Sequence, residues 1–194
     1  MKKYNGLLFP LIAVLGCVAL PSKAADALPP SHVEFSAGMY YSNLQVNDRS
    51  GEKMFARESG LSVRGLVYPV RWLAVGVEGV QFGREDLPAQ NTYRDKRLGL
   101  LTKWILTPDT IPAIYVLLGM GQQDQRVSYQ DLWTSKSHTR YTQAGLGIDI
   151  PVYRYVFIGA EGQLIYHAHQ KVDDLLVLNR RLEYLLSLRV GVKF

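Results

Sequence analysis

From Leu182 to Phe194 the chain alternates without interruption. Leu182, Tyr184, Leu186, Leu188, Val190, Val192 and Phe194 occupy one parity; Glu183, Leu185, Ser187, Arg189, Gly191 and Lys193 occupy the other. A period of two places successive side chains on opposite faces of an extended strand. One face is wholly apolar and ends in an aromatic, which exceeds what a half-buried soluble strand carries. It matches a strand with one face to lipid and one to a polar interior.

Seven earlier segments repeat the pattern. Near Val33–Gln45, Val33, Phe35, Ala37, Met39 and Tyr41 alternate with Glu34, Ser36, Gly38, Tyr40 and Ser42. Near Phe55–Val67 and Leu73–Phe82, the apolar parity is Leu61, Val63, Val67, then Leu73, Val75, Val77; the other holds Ser62, Arg64 and Glu78. Further segments lie near Tyr93–Leu106, Ala113–Gln125, Arg140–Ile150 and Val156–His169. Their polar parity carries Asp95, Arg97, Lys103, Gln123, Gln143, Asp149, Glu161, Gln163, His167 and His169. The prediction is an all-β fold, an eight-stranded antiparallel transmembrane β-barrel. A soluble barrel of eight strands would be apolar inside and polar outside, and the clean apolar face here argues against it.

Connections alternate in character. Tyr68–Arg71, Thr107–Pro112 and Pro151–Tyr155 are short and contain proline, a residue suited to turns. The stretches around Asn47–Lys53, Arg84–Thr92, Arg126–Thr139 and Gln170–Asn179 are longer and polar. Short periplasmic turns and long extracellular loops are the outer-membrane arrangement, with both termini on the periplasmic side. Aromatics gather at segment ends: Tyr68, Trp72, Trp104, Tyr153, Tyr155 and Phe194 near the turns, and Tyr41, Tyr93, Tyr129, Trp133, Tyr166 and Tyr184 near the loops. Two such belts are expected at the two membrane surfaces.

The first 24 residues read as a signal peptide: Lys2-Lys3, an apolar run from Leu7 to Leu20, then Pro21-Ser22-Lys23-Ala24, with cleavage expected after Ala24. Residues 25–194 are then the barrel domain. Cys17, the only cysteine, falls within the signal segment; Leu15-Gly16-Cys17 is a partial match to a lipoprotein box, leaving lipidation as an alternative. Loss of Lys2, Lys3 and Lys23 lowers the formal net charge from +5 to +2, so no nucleic-acid partner is implied.

On strand count, turn pattern and the Phe194-terminated last strand, the mature chain resembles the small outer-membrane barrels of the OmpA transmembrane-domain and OmpX/Ail kind. The resemblance implies a structural or surface-interaction role and makes Phe194 an assembly signal read by the barrel-assembly machinery. It also implies a setting of outer-membrane lipid and lipopolysaccharide.

An eight-stranded barrel is just wide enough for its own side chains to fill, and an isolated buried charge is very costly. Inward charges must therefore pair. Counting from the turn end puts Glu161 beside Arg189 at equal height, Arg64 beside Glu78, and Glu34 beside Lys193 at the closing seam. A salt-bridged plug is the preferred reading and a narrow porin the alternative. No cofactor is expected. His167 and His169 share a face but no third metal ligand accompanies them, so no metal is assigned. Lipid A deacylases pair a His-x-Ser with a nearby acid. Here His167-Ala168-His169 lacks that serine, and a Ser/His/Glu set that takes Ser187 and Glu183 from the neighbouring strand is the residual hydrolase alternative. Candidate contacts for an extracellular ligand or host surface are Tyr129, Trp133, Leu175 and Leu176, on the loops where such scaffolds carry function.

Overall fold

The computed structural model describes residues 32–47, 53–82, 85–87, 91–129, 133–167 and 182–194. Within them run β1 (Val33–Asn47), β2 (Lys53–Val70), β3 (Leu73–Phe82), β4 (Glu85–Leu87), β5 (Asn91–Ile105), β6 (Ala113–Tyr129), β7 (Trp133–Tyr153), β8 (Val156–His167) and β9 (Leu182–Lys193). Every pairing is antiparallel. The order β3-β2-β1-β9-β8-β7-β6-β5 is closed by β3 pairing with β5. β4 continues the line of β3 along β5, through the rungs Glu85↔Tyr93 to Leu87↔Asn91. The closed barrel thus has eight staves, and closure removes the open edges that a flat sheet would expose.

Burial follows the parity of the sequence. On β9 exposed and buried residues alternate from Leu182 onward, with Leu188 59% exposed and Arg189 2%. Many outward residues of the other strands are apolar and open, among them Phe35, Leu61, Val63, Leu98, Leu100, Met120 and Leu146. The buried residues include Glu34, Arg64, Glu78, Asp95, Lys103, Asp149 and Glu161. Polarity is inverted relative to a soluble barrel, and the lumen, not the wall, holds the charges.

One end carries the short connections. Arg71–Trp72 joins β2 to β3, Leu106–Pro112 joins β5 to β6, and Arg154–Tyr155 joins β7 to β8. The seam between first and last strands closes at the same end: His32 N–H donates to Phe194 O at 2.5 Å and Phe194 N–H to Val33 O at 2.9 Å. Outward aromatics collect there. The rings of Trp72 and Trp104 lie 5.6 Å apart, and Phe194 stacks on Tyr155 at 5.9 Å. Tyr68, expected in this belt, instead points into the lumen, where its hydroxyl donates to Glu34 at 2.5 Å.

Toward the other end, strand enters segments read from sequence as polar loops, above all 126–139, of which 126–129 and 133–139 are strand. β1 and β2 pair as far as Asn47↔Lys53, β4 lies within 84–92, and β6 and β7 pair as far as Tyr129↔Trp133. A strand of about 9–11 residues crosses the bilayer, whereas β6 has 17 and β7 has 21. The ladder continues beyond the apolar wall, where the outward residues Gln122, Asp124 and Arg126 are polar and exposed, and hydropathy no longer alternates there. Tyr129 and Trp133, expected on a loop, therefore form the last rung of the β6–β7 ladder. Leu175, Leu176, the Gln170–Asn179 stretch, His169 and the expected signal peptide at 1–24 lie outside the described residues.

Candidate functional site

The site is the lumen, and its side chains form three tiers along the barrel axis. In the tier nearest the short turns, Lys103 Nζ donates to Glu34 Oε2 at 2.8 Å and to Asp149 Oδ2 at 2.6 Å. Lys193 Nζ reaches Asp149 Oδ2 at 2.8 Å and Glu34 Oε2 at 3.7 Å. Glu34 and Lys193 face each other directly across the β1–β9 seam. Aromatic rings cover the two ammonium groups: Lys103 lies 4.5 Å from the centroid of Tyr115, and Lys193 lies 4.4 Å from that of Phe157.

The middle tier centres on two guanidiniums. Arg64 and Glu78 share a rung of β2–β3, and Arg64 Nη2 donates to Glu78 Oε1 at 2.7 Å. The same guanidinium reaches three staves around the barrel, donating through Nη1 and Nη2 to the two oxygens of Glu161 at 3.0 Å each. Arg189 Nη1 approaches Glu161 Oε2 at 3.0 Å. Arg189 Nη2 lies 3.4 Å from Asp149 Oδ1 and bonds the hydroxyl of Tyr115, tying this tier to the one below. Tyr40 donates to Glu78 at 2.7 Å, Tyr115 to Glu161 at 2.8 Å, and Gln163 to Tyr40 at 2.8 Å. Across the two tiers, carboxylates Glu34, Glu78, Asp149 and Glu161 meet cations Arg64, Lys103, Arg189 and Lys193, so formal charge cancels inside the wall.

Glu161 and Arg189 thus meet, but not at equal height. The rungs are Glu161↔Ser187 and Gly159↔Arg189, an offset of two residues. The first rung of β8–β9 is Val156↔Val192, so Phe194 runs past the start of β8 to pair with the β1 side of the seam. Diagonal neighbours two residues apart remain within reach of a long side chain, and arginine spans the offset.

The third tier lies toward the far end. Arg97 donates to Asp95 at 2.7 Å and, across the full width of the lumen, to Glu183 at 2.9 Å. Ser42 Oγ donates to Glu183 Oε1 at 2.8 Å, His167 Nε2 lies 2.9 Å from Glu183 Oε2, and Gln123 Nε2 donates to Asp95 at 2.6 Å. The guanidinium of Arg97 also sits 4.6 Å from the centroid of Phe82.

Among the described residues this geometry does not assemble the hydrolase set around His167. His167 lies six residues from Glu161 on β8, and Ser187 is opposite Glu161, so serine and histidine stand about 20 Å apart at 3.4 Å per residue. The serine on Glu183 is Ser42, and the carboxylate lies between serine and histidine. A nucleophile–base pair requires the histidine in the middle. Among the described residues no cluster of His, Cys, Asp and Glu has the makings of a metal site.

Sequence reasoning placed Lys103, Asp149, Asp95 and Arg97 inside but paired none of them. Tyr40 entered only as an inward residue. Its sequence signal was parity alone; the carboxylate it meets, Glu78, sits on a stave that is not a neighbour.

No protein-family model matches this chain, and no curated protein sequence does. Solved structures do. Ail, the attachment invasion locus protein of Yersinia pestis, superposes with a TM-score of 0.56 at 14% identity, covering 86% of this chain and 100% of Ail. Neisserial surface protein A gives 0.60 at 16%, covering 84% and 97%. The N-terminal β-barrel domain of Pseudomonas aeruginosa OprF gives 0.51 at 13%, covering 84% and 98%. The chain has the fold of the small eight-stranded outer-membrane barrels. At these identities the likeness is one of fold.

Proposed function

We propose that this protein is an integral outer-membrane barrel with a structural or surface-interaction role: membrane integrity, adhesion or binding at the extracellular end. Export would follow cleavage after Ala24, and Phe194 would present the last strand to the barrel-assembly machinery. One observation carries the reading. An apolar outer wall encloses a lumen crossed by charge-paired side chains, from Lys103 and Lys193 through Arg64 and Arg189 to Arg97. A wall of that kind is stable in lipid, and an interior so filled is a strut, not a path for ions or substrate. The fold is shared with a protein named for attachment and invasion and with one named as a surface protein, which supports a role at the cell surface.

Planar-bilayer conductance of the refolded protein tests this. Insertion without steady ohmic current is expected. Sustained current at low voltage would favour the small-porin alternative, and release of fatty acid from lipid A by cells expressing the protein would favour the hydrolase.

A further inference from the structure

The outward face of β5, β6 and β7 changes character abruptly above the apolar wall. Successive outward rungs read Leu100↔Met120↔Thr142, Leu98↔Gln122↔Arg140, Lys96↔Asp124↔His138 and Arg94↔Arg126↔Lys136. Alternate residues Asp95, Arg97, Gln123, Gln125 and Tyr141 are buried, so these four rungs face out. The last is three cations directly opposite one another on adjacent strands. Facing side chains there are separated by about 5 Å, and like charges so placed repel. Arg140 and Lys96 flank them. The one carboxylate on these rungs, Asp124, is bonded to His138. Among the described residues Arg94, Lys96, Arg126, Lys136 and Arg140 have no salt-bridge partner.

Immediately beside this patch the apolar wall is dented. Gly79 faces out between Val63 on β2 and Leu98 on β5, and a Cβ added there would meet nothing within 4 Å. A groove of about 890 Å³ opens at this point. Leu61, Val63, Gly79 and Leu98 line its apolar part, and Lys96 and His138 stand at its charged end.

We propose that the cationic rungs and the groove together bind one phosphorylated, multiply acylated lipid of the outer leaflet, lipid A. Its phosphates would lie on Arg94, Arg126 and Lys136, and an acyl chain in the dent at Gly79. Guanidinium groups pair with phosphate in forked hydrogen bonds, and the bound anion relieves the repulsion within the rung. The apolar groove argues for a lipid over a soluble polyanion, which would use the cations and leave the dent empty. The inference rests on the outer-membrane reading, since it requires lipid against this wall.

The test uses the refolded full chain in detergent, with binding read from the upward shift of its unfolding midpoint on titration. Bisphosphorylated lipid A is expected to bind at least tenfold more tightly than its dephosphorylated form. The triple variant Arg94→Gln/Arg126→Gln/Lys136→Gln should lose that factor, and Gly79→Leu should weaken lipid A binding while leaving the response to heparin unchanged. Affinity of the wild type should also fall as sodium chloride rises, a readout that needs no variant. Equal affinity of triple variant and wild type, salt-independent binding, or a response to heparin without one to lipid A would overturn the proposal. Flotation with phospholipid vesicles separates the two levels. Wild type that fails to float defeats the membrane reading and this inference together. Wild type that floats but ignores the phosphates defeats the inference alone.

Discussion

Glu161 is the carboxylate on which the middle tier converges, and its replacement by glutamine has a calculable consequence. The carboxylate is buried and faces both Arg64 and Arg189 at 3.0 Å. Breaking one partner out of a buried ion pair costs about 3–5 kcal/mol, because the other charge is left in a poor solvent. Both guanidiniums keep a second carboxylate, Arg64 through Glu78 at 2.7 Å and Arg189 through Asp149 at 3.4 Å. The cost of Glu161→Gln should therefore sit at the low end, about 3 kcal/mol. Arg189→Met should cost less, since Glu161 retains Arg64 and Tyr115. In the double variant neither orphaned charge remains, so its destabilisation should fall short of the sum by about 1–2 kcal/mol, within the range found for contacting residues. The assay is reversible urea unfolding of the barrel in lipid vesicles, followed by tryptophan fluorescence. A cycle additive to within about 0.5 kcal/mol would show that the two side chains do not interact and would refute this account of the lumen.

Other outcomes follow from the same geometry. Leu188→Arg puts a charge on the lipid face and should destabilise the inserted barrel by about 2–4 kcal/mol if near the midplane; unchanged folding into vesicles would reverse the inside–outside assignment of β9. Gly147→Ala adds a methyl where the Tyr115 phenol lies. It should cost about 1–3 kcal/mol of overpacking by pushing that hydroxyl off Glu161 and Arg189, read as a lower urea midpoint. Because closure leaves no edge from which to unzip, unheated protein should migrate differently from boiled protein on a detergent gel; identical mobility, together with purification from the soluble periplasm, would count against the membrane reading.

The alternation of side chains is a local property of an extended backbone, so it was legible residue by residue. It told which face of each strand meets lipid, from Phe35 to Phe194, and that Arg64 and Glu78 lie inside. Partners joined through a short connection were also legible. Only the Arg71–Trp72 turn separates the strands of Arg64 and Glu78, so counting outward from it pairs them. Counting failed by two residues for Glu161 and Arg189, whose strands are joined through the far end, because the seam lets Phe194 overrun β8. Tyr68 was misplaced because a tyrosine near a turn suits a membrane belt as well as a buried hydrogen bond, and its parity was outvoted by its neighbours. Polar strand segments such as Arg126–Tyr129 were read as loop, since the outward parity turns from Met120 to Gln122, Asp124 and Arg126 and the lipid-facing alternation ends there. The contacts across the lumen, Arg64 to Glu161, Lys103 to Glu34 and Arg97 to Glu183, were beyond any reading of pattern. They join staves that are not neighbours, and only the curvature and stagger of the closed barrel bring those side chains within 3 Å or so of each other. The cationic rung of Arg94, Arg126 and Lys136 was also unread: its strands are neighbours, but only the register sets the three residues directly opposite one another.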